Sequence, residues 1–132
     1  MYIFTDGGSR GNPGPAGIGV VIRDGDSVIA EISKCIGNAT NNVAEYMAAI
    51  YGMQEACIRG AKEVVLSLDS QLVARQLKGE YRVKDRDLRK FFDLALNISR
   101  GFDKLEIREI RREDNREADA LVNKALDLES LV

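Results

Sequence analysis

Met1-Tyr-Ile-Phe-Thr-Asp6-Gly-Gly-Ser-Arg-Gly-Asn12-Pro-Gly-Pro15 opens the chain. Tyr2, Ile3, Phe4 and Thr5 are aromatic or β-branched, the types that fit a pleated, buried surface. Glycine and proline then crowd in, which predicts that the strand stops near Asp6. A carboxylate is thereby expected at the tip of a central strand, and the other elements are read for what they bring to it.

Beyond the loop, residues 17–23 read as a second strand, and Asp24-Gly25-Asp26 reads as a tight hairpin turn. Ser27 to Ile36 is a third strand. These three form an antiparallel meander, so the first and third run the same way. Residues 37–42 are expected as a loop. A helix follows, with Val43, Met47, Ile50 and Tyr51 at helical spacing, a capping-box pattern over Asn42–Glu45, and Gly60 at its end. Glu63 to Leu68 is nearly all apolar, as a buried parallel strand is. A right-handed crossover makes it parallel to the first strand. Helices are expected over Gln71 to Lys78 and Asp85 to Ser99, an alternating edge strand over Lys104 to Ile110, a loop to Asn115, and a last helix from Arg116 to Leu128. The prediction is one α/β domain over residues 1–132, with a five-stranded mixed sheet in the order 3-2-1-4-5 flanked by helices.

Composition narrows the chemistry. The chain is 45% hydrophobic and 30% charged, ordinary for a globular domain that needs no disulfide staple. Cys35 and Cys57 have no metal-type spacing and read as free thiols of a reducing compartment. The apolar runs are too short to span a membrane and no signal peptide stands at the N-terminus, so the expected location is cytoplasmic. Histidine is absent, which removes a Ser-His-Asp triad, histidine metal ligands and a histidine base together. The net charge of −2 excludes a polyanion binder that works by overall charge.

Carboxylates remain. Asp6 ends the first strand and Asp69 follows the fourth. Glu45 and Asp119 stand in the first turns of the helices after strands three and five. That topology puts all four at the carboxyl edge of the parallel strands, where open α/β sheets bind ligands. Singly, each has an ordinary explanation as a turn, cap or helix-dipole residue. Together they repel unless cations lie between them, and an all-oxygen set suits Mg²⁺ or Mn²⁺ better than zinc.

Four segments carry a family resemblance: Thr5-Asp-Gly-Gly-Ser9 with Gly11-Asn-Pro-Gly-Pro15, Thr40-Asn-Asn-Val-Ala-Glu45, Asp69-Ser-Gln71, and Asn115-Arg-Glu-Ala-Asp119-Ala-Leu121. In order and spacing, along nearly the whole chain, they resemble the type 1 ribonuclease H family. The resemblance implies an endonuclease that cuts the RNA strand of RNA–DNA hybrids and leaves 5′-phosphate and 3′-hydroxyl ends. It gives Asp6, Glu45, Asp69 and Asp119 the metal-binding roles, with two Mg²⁺ or Mn²⁺ ions clamping an in-line displacement. It gives Asn12, Thr40, Asn41, Asn42 and Gln71 contacts to the hybrid, where amides read 2′-hydroxyls and minor-groove edges. The expected partner is the RNA–DNA hybrid and the expected state a monomer without membrane attachment; whether duplex RNA is a further partner is left open by the sequence.

Two departures stand out. Where many relatives carry a loop histidine, this chain has Arg111-Arg-Glu-Asp-Asn115, and Arg112 is the residue expected in its place. Arginine stays protonated, so its role there is phosphate binding or product departure, not base catalysis. The basic, tryptophan-containing handle of larger relatives is also missing. Residues 78–90 offer six basic against three acidic side chains instead, which predicts weaker hybrid affinity than handle-bearing forms have. A non-cutting binding module and a phosphatase of another α/β fold are the competing readings. The second lacks the Asp-x-Asp or Gly-Lys-Ser/Thr signature it needs.

Overall fold

The computed structural model describes residues 1–131. Five strands form one sheet in the order β3-β2-β1-β4-β5. They are β1 (Tyr2–Ser9), β2 (Gly14–Asp24), β3 (Ser27–Ala39), β4 (Glu63–Leu68) and β5 (Lys104–Glu109). The helices are α1 (Asn41–Ile58), α2 (Gln71–Leu77), α3 (Arg86–Ser99) and α4 (Arg116–Glu129), with a 3₁₀ turn at Arg112–Asp114. β1, β2 and β3 pair antiparallel, whereas β4 and β5 add in parallel to β1, as the meander-and-crossover reading requires. No helix among the described residues is long and apolar enough to cross a membrane.

β1 does not stop near Asp6. Asp6, Gly7, Gly8 and Ser9 continue the ladder opposite Gly19, Ile18, Gly17 and Ala16. The strand runs on because glycine does not act as a breaker at these positions. Here it is needed inside the strand, where another backbone comes close. β2 and β3 lengthen in the same way, so β3 takes in Gly37, Asn38 and Ala39 of the expected loop. What ends at this point is the parallel pairing to β4, whose last register pair is Thr5 with Leu68. Asp6 is the first β1 residue past that pairing. Asp6 therefore stands beside the point where β1 and β4 part, not at a strand tip.

The two faces of the sheet are covered unequally. One receives α1: Ile3, Val20, Ile22, Leu66 and Leu68 pack with Tyr46, Ala49, Met53 and Ala56, all buried. The Tyr46 hydroxyl donates to Gln76 Oε1 and Gln76 Nε2 donates to the Arg82 carbonyl at 3.3 Å, which ties the connector after α2 to the core. α4 covers the other face over β2 and β3. Its approach is so close that a Cβ on Gly19 would sit 2.1 Å from the Ala118 carbonyl oxygen. Gly7 does the same for α1, with the Ala44 carbonyl oxygen 2.2 Å from where its Cβ would be.

Two of the expected caps are corrected. Thr40 caps α1, its Oγ1 accepting from the Val43 amide at 3.2 Å, so Asn42–Glu45 is not a capping box and Glu45 is released from that role. Ser70 caps α2 through the Val73 amide, which releases Asp69 likewise.

Gly19→Ala should destabilise the protein by about 2–3 kcal/mol, since overpacked backbone contacts have nowhere to relax. Gly8→Ala, whose new Cβ would meet nothing closer than 3.9 Å, should leave the urea midpoint near that of the parent. Equal midpoints for the two variants would show that α4 does not need the contact at Gly19.

Candidate active site

Each acid is delivered by a different element. Asp6 comes from β1, Glu45 from the first turns of α1, Asp69 from the residue after β4, and Asp119 from the start of α4. One carboxylate oxygen each from Asp6, Glu45 and Asp69 lie within 4.8 Å of one another. Asp119 lies outside that triad but lines the same open cavity, of about 390 Å³. Asp6 and Glu45 are buried, and Asp69 is half-buried.

Hydrogen bonds fix two of the carboxylates. Gly7 donates its amide to Glu45 Oε1 at 2.7 Å, the same glycine that admits the α1 backbone. Asn115, 2% exposed, donates Nδ2 to Asp69 Oδ2 at 3.0 Å and to the Thr5 carbonyl at 2.8 Å. It thereby bridges the end of the β1–β4 pairing and sets the orientation of Asp69. The sequence reading quoted Asn115 inside a motif but gave it no role. At the head of a helix it looks like an N-cap, yet it makes no side-chain capping bond.

The electrostatics follow from crowding. Burial pushes the Asp6 carboxyl up to about 7. A hydrogen bond with Glu45 opposes that rise, while the charges of Asp69 and Asp119 add to it. Glu45 is held well above the usual carboxylate range, first by burial and then by Asp6, although the Gly7 amide works the other way. Both shifts run the same way: the site favours a proton over bare negative charge. A divalent cation fits where that proton sits: the donors are hard oxygens, close together, and short of compensating positive charge.

The other expected residues divide. Arg112, Asn41 and Asn42 line the same cavity as the acids. Asn12, Thr40 and Gln71 do not. Asn12 Oδ1 accepts from the Asn41 amide at 3.0 Å, Thr40 is occupied as the α1 cap, and Gln71 is exposed at the start of α2. Asn41 is itself held, its Oδ1 accepting from the Ser9 amide at 2.8 Å and the Ser9 hydroxyl at 3.1 Å. Asn12 and Ser9 therefore fix the loop that presents Asn41.

Residues 4–125 match the family model described as reverse transcriptase-like. LC11-RNase H1, from compost, solved in complex with an RNA/DNA hybrid, superposes with a TM-score of 0.93 at 43% identity and covers 99% of both chains. This chain belongs to the ribonuclease H family. Ribonuclease HI of Halobacterium salinarum is 44% identical over 96% of this chain, and so is a bifunctional protein of Mycobacterium tuberculosis. The chain spans 64% of the length of the first of these relatives and 35% of the second.

Asp6 has its folded-state pKa above the unfolded value. Its contribution to stability is therefore full below about pH 4 and lost as pH rises through about 7. Metal-free protein should melt at a higher temperature at pH 5 than at pH 8. Asp6→Asn should flatten that trend and gain about 1–3 kcal/mol at pH 8, in line with the order of such linkage effects. Calorimetry in chelator checks both, and a parent Tm that climbs between pH 5 and 8 would contradict the assignment.

Proposed function

We propose that this chain is a metal-dependent endoribonuclease that hydrolyses the RNA strand of RNA–DNA hybrids and leaves 5′-phosphate and 3′-hydroxyl ends. The observation that carries the reading is the meeting of Asp6, Glu45 and Asp69 in one open cavity, in a chain that superposes nearly end to end on a relative solved with such a hybrid. Asp6, Glu45, Asp69 and Asp119 hold Mg²⁺ or Mn²⁺, two ions with substrate bound. Bound metal there supplies a lowered water pKa and charge stabilisation at the leaving 3′ oxygen.

The chain's own groups do the remaining work. The Gly7 amide and Asn115 keep Glu45 and Asp69 pointed into the cavity. Asn41 and Asn42 face the RNA strand. Asn41 Oδ1 is already engaged by Ser9, so its Nδ2 donors are the ones left for 2′-hydroxyl and base-edge acceptors. Asn12 supports Asn41, with Thr40 and Gln71 further along the strand path. Arg112 holds a phosphate or assists departure of the cut product, since a guanidinium does not take a proton. Duplex RNA is proposed as a second, poorer substrate. The protein is read as one domain, monomeric, and cytoplasmic, in keeping with two free cysteines.

Incubation of labelled hybrid, RNA duplex and DNA duplex with Mg²⁺ tests the activity. Cleavage confined to RNA strands is expected, and an intact hybrid would leave only the binding-module reading. Asp69→Asn should abolish turnover while the protein stays folded by circular dichroism. Asn115→Ala should lower kcat/KM by about 10–100-fold, as loss of groups that orient metal ligands does. It should also move the Mg²⁺ concentration for half-maximal rate upward. Parent-like metal dependence in that variant would remove Asn115 from the proposal.

A further inference from the structure

The cavity that holds the acids is lined by two arginines, and only Arg112 has a role so far. The other is Arg10, on the β1–β2 loop. Its backbone is rigidly placed: its amide donates to the Pro15 carbonyl at 2.8 Å, and a Cβ on Gly14 would come 2.3 Å from its carbonyl oxygen. Its guanidinium is held by Asp127 of α4 through one nitrogen, Nη2, at 2.6 Å. Asp127 does not itself line the cavity. Arg10 therefore lines the acidic cavity while its guanidinium is tied to a carboxylate outside it. Both partners are well exposed, at 44% and 68% of their side-chain surface. An exposed pair of this kind contributes little to stability, so exchange of one anion for another costs little.

We propose that Arg10 is a phosphate-binding residue for the nucleic-acid strand, with Asp127 as the internal anion that the phosphate displaces. This rests on the nuclease reading above and extends it. A chain that must admit a polyanion to a cavity lined by four carboxylic acids gains from a cation at its rim. Arginine suits the task because its planar fork, held by Asp127 through Nη2 alone, can pair with a phosphate through two nitrogens once the carboxylate is displaced. Asp127 keeps the guanidinium at the rim in the free protein and prevents its collapse onto Asp6 and Asp119, where it would compete with metal.

The test is kcat and KM on a labelled RNA–DNA hybrid with Mg²⁺ over a salt series, for the parent, Arg10→Ala, Asp127→Asn and the double variant. Arg10→Ala should raise KM roughly fivefold with kcat within about twofold, and should make the slope of log(kcat/KM) against log salt shallower by about 0.8, the signature of one lost phosphate contact. Asp127→Asn should do the reverse and lower KM about twofold. Its gain should vanish in the Arg10→Ala background, which a general change of charge would not do. If the pair is only a clasp between loop and helix, both single variants will raise KM alike and the salt slope will not move, and the proposal falls. A parent that neither binds nor cuts the hybrid would instead overturn the nuclease reading itself.

Discussion

The structure depends on a repulsion that it does not relieve by itself. Asp6 and Glu45 are buried beside each other, with Asp69 within reach and Asp119 on the same cavity. Keeping Asp6 ionised against a pKa pushed up to about 7 draws on the roughly 5–15 kcal/mol that holds a domain folded. A chain under selection for stability alone would not build this cluster. The hydrophobic core beneath it, where Ile3, Leu66 and Leu68 pack on Tyr46 and Met53, is what allows the surface above to be strained. A divalent cation bound there, as proposed, would turn that stored repulsion into affinity, because the charge that destabilises the free protein is the charge that attracts metal.

Bringing four acids together is a backbone problem before it is an electrostatic one. The elements that carry them are covalently distant, and two of the helices must approach the sheet more closely than any side chain allows. Gly7 and Gly19 remove the obstacle on opposite faces. Gly7 sits under the α1 backbone at Ala44, one residue before Glu45, and its amide then takes the Glu45 carboxylate. Gly19 sits under α4 at Ala118, one residue before Asp119. In each case the tightest backbone contact is adjacent to the acid delivered, so helix docking and site assembly are one event. Asn115 completes the arrangement across the sheet's own gap, where β1 and β4 part after Thr5 and Leu68.

The sequence disclosed the order of elements because β4 is a continuous apolar run, β5 alternates, and the helices carry clear periodicity. Strand order followed from meander and crossover rules that leave few alternatives. It misplaced the end of β1 because a glycine pair has the same appearance as a breaker and as a site of close approach. Only the partner across the gap distinguishes them. It assigned the α1 cap to Asn42 because Thr40, Asn41 and Asn42 are all good capping residues, and the choice depends on which amide the chain turns toward. The acids were legible through spacing between motifs. The groups that hold them were not: an amide on Gly7 and a side chain on Asn115 leave no mark in composition, since one is backbone and the other imitates a cap.

The loop from Ser9 to Asn12 shows how polarity at the rim is set. Asn12 accepts from the Asn41 amide, and Asn41 accepts twice from Ser9. Asn41 lines the cavity and its side-chain oxygen is consumed inward, so at this rim it offers amide donors to whatever approaches. Arg10 and Arg112 add donors that also carry charge. The floor is acceptor-only carboxylate and the rim beside it is rich in donors, an arrangement that suits a ligand with oxygens all along one edge and a cation needed at one point. A phosphodiester strand with 2′-hydroxyls has that character. A DNA strand supplies the phosphates but lacks the hydroxyl oxygens, so on the nuclease reading proposed above the Nδ2 donors of Asn41 would be the groups that tell the two strands apart.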